Sequence, residues 1–154
     1  MSTTVAVDDT GRSWTGRSHA DSSFSSYLVP VGRALFAAIF IMSGPTHFFP
    51  ATIAFAASQG VPLASLLVPL SGITAMLGGL SILLGYRARL GALLLVLFLV
   101  PVTLALHAFW KVTDPMMAQM QLAMFMKNVS MLGGALFIAY FGAGPVSLDA
   151  RRDH

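Results

Sequence analysis

Four apolar stretches, each near the length of a bilayer crossing, constrain what this chain can become. They run from about Tyr27 to Gly44, Pro62 to Leu84, Leu90 to Trp110 and Met117 to Phe141. A hydrocarbon core takes roughly 20 helical residues to cross, and within lipid the backbone must satisfy its own hydrogen bonds. Hydrophobic residues make up 56% of the chain and charged ones only 10%. A soluble domain so poor in charge would expose large apolar patches. The expected fold is therefore all-α, an integral membrane four-helix transmembrane bundle forming one domain over residues 27–145.

The breaks between stretches are legible too. Gly44-Pro45 ends the first span. The run from Ala51 to Gly60 is bounded by Pro50 and Gly60 and is too short to cross. It reads as a short interfacial helix between spans 1 and 2, with Phe48 and Phe49 as interface aromatics. Tyr86-Arg-Ala-Arg89 is a tight basic turn, and Val112-Thr-Asp-Pro115 makes the last two spans antiparallel neighbours. Residues 1–26 are rich in Ser, Thr, Gly and Asp and lack an apolar period, which predicts a disordered tail. Residues 146–154 form a second, charged tail.

Topology follows from the distribution of Lys and Arg. Four spans place Arg12, Arg17, Arg87, Arg89, Arg151 and Arg152 on one face and Lys111 alone on the other. Both termini are expected in the cytoplasm, with the lipid bilayer as the bundle's main partner. The net charge of +3 reflects these loops, and no nucleic-acid partner is expected.

Composition also excludes chemistry. Six Asp, no Glu and no Cys are present, and no Asp lies inside an apolar stretch. Paired-carboxylate catalysis, carboxylate metal cages and thiolate chemistry lack their residues. No metal site is expected, and no cofactor attachment is encoded.

Candidate ligand-binding residues are the polar groups that the spans carry: Lys127, Asn128, His107, Trp110, Arg33 and His47. Intramembrane charges are costly and usually functional. Lys127 lies about ten residues into its span, roughly 15 Å from the nearer end, and is expected to point into the bundle or a wet cavity. There it would donate a proton to a bound carbonyl or cap carbonyls freed by Pro101. Gln121, Phe125 and Asn128 share a face, with Lys127 about 100° from Asn128, so only one of the pair can point at the axis. Thr103, His107, Trp110 and Lys111 fall on one face if the third helix is continuous. His107 then contacts a ligand oxygen, pairs with His47 on a haem, or anchors the interface beside Trp110. His47 is otherwise a solvated interfacial residue. Arg33 shares a stripe with Phe36, Ala37, Phe40 and Ser43, and either snorkels to the interface or faces inward. Gly72, Gly78, Gly79 and Gly133-Gly134 are expected as helix-packing points.

The spans and motifs together resemble the DoxX-like family of small four-helix bacterial membrane proteins, over about Leu28 to Asp149. The likeness rests on Gly32-Arg33-Ala-Leu with Ile39-Phe-Ile-Met-Ser-Gly44, on Gly78-Gly79-Leu80 with Leu84-Gly85, and on the Arg87/Arg89 turn. It continues through His107-Ala-Phe-Trp110 to Asp114, and Phe125-Met-Lys127-Asn128 to Gly133-Gly134 and Ser147-Leu-Asp149. The family commonly adds a glutamate before the Gly-Gly pair and a lysine after the Ser-Gly of the first span. Here Ala75 and the Pro45-Thr46-His47 segment hold those places, so Lys127 lacks the glutamate, and a bound anion, a quinone oxygen or a neutral Lys127 is expected instead. The resemblance implies a place in the bacterial inner membrane and association with membrane redox systems, as an accessory or quinone-interacting subunit of a redox enzyme. A bound quinone is the implied cofactor, and electrons would come from a partner. The same cationic pocket also suits binding or transport of a small solute, and an assembly factor without catalysis remains an alternative. Whether the chain is itself an enzyme is left open by its sequence.

Overall fold

The computed structural model describes residues 5–7, 13–15 and 19–152. Six helices carry the architecture: α1 (His19–Ser43), α2 (Pro50–Ser58), α3 (Ala64–Leu84), α4 (Ala88–Leu106), α5 (Pro115–Phe141) and α6 (Leu148–Arg152). Short 3-10 turns at Gly44–Phe48 and Phe109–Lys111 complete them. Four segments are long and apolar enough to cross a membrane: Tyr27–Phe48, Ala64–Leu84, Ala88–Lys111 and Pro115–Phe141. The expected four-helix transmembrane bundle and the short helix between spans 1 and 2 are both present.

Parts of the expected N-terminal tail are among the described residues. Val5–Val7 pairs antiparallel with Ser13–Thr15, and α1 begins at His19, well before Tyr27. The β-branched residues of both short segments suit strand pairing. The remaining residues of the expected tail lie outside the described ones. The C-terminal tail is likewise structured, since Leu148–Arg152 is helical and docks on the bundle.

Among lipid tails, apolar side chains gain little by leaving their surroundings, so close packing must hold the helices together. α3 is the hub. Gly79 lets Phe40 and Ile41 of α1 approach, where an added Cβ would lie 3.0 Å from Ile41 and 3.2 Å from Phe40. Gly78, one position earlier, faces α4 and admits Leu95 and the Gly91 carbonyl. The helices therefore neighbour one another in the order α1, α3, α4, α5. The core between them contains Ala37, Phe40, Ala75, Ile82, Leu95, Leu99 and Ala135.

α5 closes this arrangement only partly. It buries 11% of its span, against 33% for α3 and α4. Its close approach to α1 occurs where a methyl on Gly134 would lie 2.8 Å from the Phe36 ring. Gly133, expected to pack as well, has nothing within 4 Å of its own Cβ position. Away from the chain termini the interior opens, and α2 lies over that distal end. Its Ala56 is buried in a small cluster with Ala64 and Val68, supported by Ile53, Val61 and Leu106.

Candidate functional site

His47 reaches the interior because α1 does not simply stop. Pro45 follows Gly44 and the chain tightens into a 3-10 turn, which carries the imidazole over α3. Gly72 leaves room for it: a Cβ there would lie 2.7 Å from His47 Cβ and 2.7 Å from the Gly44 carbonyl oxygen. His47 Nδ1 lies 2.8 Å from Ser71 Oγ, whose hydroxyl donates to the Val68 carbonyl at 2.7 Å. A serine hydroxyl has one proton to give. With that proton on Val68, Ser71 accepts from His47, so Nδ1–H is the donor and Nε2 carries the lone pair. The ring is half-buried and lies 5.7 Å from Phe98. His47 is therefore not the solvated interfacial residue expected; a bonded partner 24 positions away draws it inward.

His107 follows the last residue of α4. Its φ of −121° and ψ of 37° end the helix, so the face expected to run through Thr103, His107 and Trp110 is broken there. Nδ1 of His107 lies 2.9 Å from Gln121 Oε1. Since that oxygen accepts, the imidazole again donates through Nδ1 and keeps Nε2 as an acceptor. Trp110 is separated from this pair. It packs edge-on against Phe109 and Phe125 at centroid distances of 5.1 and 5.8 Å, and its indole is half-exposed.

Asn128 and Lys127 divide as helical geometry requires. Asn128 is only 5% exposed, and no described residue hydrogen-bonds its amide. Among the described residues Arg33 Nε alone is sealed from solvent-sized space without a partner, so the Asn128 amide looks into open space. Lys127 takes the outer position, exposed, with Nζ 3.5 Å from Met124 Sδ. Of the two placements expected for Lys127, the bundle interior goes to its neighbour, and Lys127 reaches the edge of a cavity.

These groups meet in one cavity of about 560 Å³. His47, His107, Asn128 and Lys127 line it, with Phe40, Phe98 and Met131 among its apolar walls and Ala56 of α2 at its distal end. Its rim includes the outward-facing Leu70 and Leu97, which lie where lipid tails would be. The volume lies within the usual range for small-molecule sites, and the pattern of apolar walls with few polar groups is theirs too. The site can accept hydrogen bonds at two imidazole nitrogens, both donate and accept at one carboxamide, and supply a cation at its edge.

Arg33 is elsewhere. It is 5% exposed, near the terminal end of the bundle, and its guanidinium donates to the Ala143 carbonyl at 2.9 Å and the Val146 carbonyl at 2.7 Å. It faces inward rather than snorkelling, and it holds the chain that leaves α5. Sequence reasoning missed Ser71, whose role depends on a turn from another helix. It noticed Gln121 only as a face-mate of Asn128.

A model of the SURF4 family matches residues 19–154, and the chain belongs to that family. It is 29% identical to the inner membrane protein YphA of Escherichia coli over 126 residues, covering 80% of this chain and 89% of that protein. No solved structure matches.

Proposed function

We propose that this SURF4-family chain is a quinone-binding accessory subunit of a redox assembly in the bacterial inner membrane. The observation that carries the reading is Asn128, buried without a protein partner on the wall of an apolar cavity whose other polar groups are two imidazoles. An amide that opens into an apolar cavity with no protein partner is left to water or a ligand, and a ligand oxygen would serve it. A quinone head offers carbonyl oxygens that accept from Asn128 Nδ2–H, and its reduced form offers hydroxyls that donate to histidine Nε2. The lipophilic tail would leave past Leu70 and Leu97. When bound, a quinone supplies a two-electron, two-proton couple; this chain's residues orient its head and keep it from bulk water. The DoxX-like resemblance and the inner-membrane relative support the redox setting and the location. The arginine-rich terminal end supports cytoplasmic termini.

Lys127 supports the subunit role. It stands near the middle of α5, on the helix with the least buried span, and no carboxylate of this chain lies within a spanning segment. A charged residue so placed calls for an anionic neighbour, supplied by the ligand or by another membrane protein.

The test is binding of a quinone analogue to purified protein in detergent, with absorbance spectra recorded on the same samples. Saturable binding in the wild type that is lost in Asn128→Leu is expected. Absence of binding in a folded wild type would reject the quinone reading. Flux of a small lipophilic solute through proteoliposomes, lost in the same variant, would move the cavity to transport.

A further inference from the structure

The terminal end of the bundle holds a second cavity, of about 730 Å³, between the α3–α4 turn and the segment that follows α5. Arg87, Arg89 and Arg152 line it together with Gly142, Gly144 and Asp149. Two of the arginines flank one aromatic ring: the guanidinium carbons of Arg87 and Arg152 lie 5.8 and 5.5 Å from the Tyr86 centroid. Such stacking holds a guanidinium in place while leaving its N–H groups available. No described residue pairs with these three guanidinium groups.

Asp149 does not neutralise them. Its Oδ1 accepts the Arg87 backbone N–H at 2.7 Å and its Oδ2 the Ala88 N–H at 3.0 Å. Both oxygens are committed to the start of α4. With three arginines against one aspartate, the cavity is left with a net positive charge. Its floor includes Phe141 and Leu90, large apolar residues at the boundary of two spanning helices. A cationic recess at that boundary meets phosphate on one side and acyl chains on the other.

We propose that this recess binds the headgroup of an anionic phospholipid in the leaflet nearest the termini. Arg87, Arg89 and Arg152 hold the phosphate, and the first acyl carbons lie along Leu90 and Phe141. Planar guanidinium groups suit phosphate oxygens two at a time, and each basic residue near an anionic surface strengthens binding about fivefold. The site is at the opposite end of the bundle from the quinone cavity and does not depend on that reading.

The experiment counts lipids retained by the full chain in mild detergent, using native mass spectrometry. Phosphatidylglycerol is compared with phosphatidylcholine of the same acyl chains, and inorganic phosphate is added as a soluble competitor. Phosphatidylglycerol should be retained at least about fivefold better. The preference should vanish when Arg87→Gln, Arg89→Gln and Arg152→Gln are combined, survive their replacement by Lys in reduced form, and be unaffected by Lys111→Gln. If the triple glutamine variant does not fold, single Arg89→Gln and Arg152→Gln should each weaken retention severalfold. Equal retention of the two lipids, or a preference that persists without the arginines, would overturn the proposal. Displacement of phosphatidylglycerol by millimolar inorganic phosphate would also overturn it, in favour of a site for soluble phosphate.

Discussion

Asp149 caps a helix that begins 61 residues before it: its carboxylate accepts the backbone N–H groups of Arg87 and Ala88, at 2.7 and 3.0 Å. Arg87, with a left-handed φ of 47°, ends the turn between α3 and α4, and its guanidinium has no acceptor with which to cap the helix it introduces. The Asp149 N–H in turn donates to the Gly85 carbonyl at 2.8 Å. The C-terminal segment thus latches the α3–α4 turn in both directions.

Asp149→Ala should lower stability by about 1–2 kcal/mol, the usual scale for loss of an N-terminal cap. Asp149→Asn, which keeps one accepting oxygen, should lose about half as much. Thermal unfolding of the purified variants in detergent measures both. Equal stability of wild type and Asp149→Ala would show the latch to be dispensable.

Arg33→Met should cost about 2 kcal/mol, less than two charge-assisted hydrogen bonds would suggest. The variant strands the buried Ala143 carbonyl but also removes the guanidinium Nε–H, which has no partner of its own. Quinone-analogue binding should be unchanged, because Arg33 lies outside the cavity wall. Lost binding at full stability would return Arg33 to the ligand site.

A glycine pair separates conformational strain from collision. Gly60, with φ of 84° and nothing within 4 Å of its Cβ position, should lose about 1 kcal/mol on change to Ala. Gly85, with φ of 62°, would drive a Cβ into the Arg33 guanidinium and to 2.5 Å from Ser147 Cβ. Gly85→Ala should therefore cost about 3 kcal/mol or more, again read from thermal unfolding. Similar losses at both positions would mean that the latch yields easily.

Asn128→Leu should leave the isolated bundle as stable as wild type or raise its stability by up to about 1 kcal/mol, since it puts an apolar side chain on an apolar wall where the amide had no protein partner to lose. Ligand binding should fall below detection in the same sample. A destabilised Asn128→Leu variant would make the amide a packing element. Lys127→Met should change stability by less than about 0.5 kcal/mol, because the ammonium contacts little beyond Met124 Sδ. Its effect should appear in binding, as a several-fold rise in Kd.

The inward stripe of the first span shows how far sequence reading extends. Arg33, Ala37 and Phe40 are buried together, as helical spacing requires, and Gly79 and Gly78 pack against the two neighbouring helices. The candidate site was legible only in part. His47, His107, Asn128 and Lys127 do converge on one cavity, but Trp110 joins an aromatic cluster and Arg33 stays at the far end.

Hydropathy and helical period act over a few neighbouring residues, so the chain alone determined the four spans, their breaks and which residues of α1 share a face. The phase of α5 against α4, the turn that lays His47 on Ser71, and the carbonyls that claim Arg33 from 110 and 113 positions away involve partners distant in sequence. Only the packed structure could decide that Asn128 faces the cavity while Lys127 holds its rim, because adjacent residues on a helix point about 100° apart and only the position of the neighbouring helices selects between them.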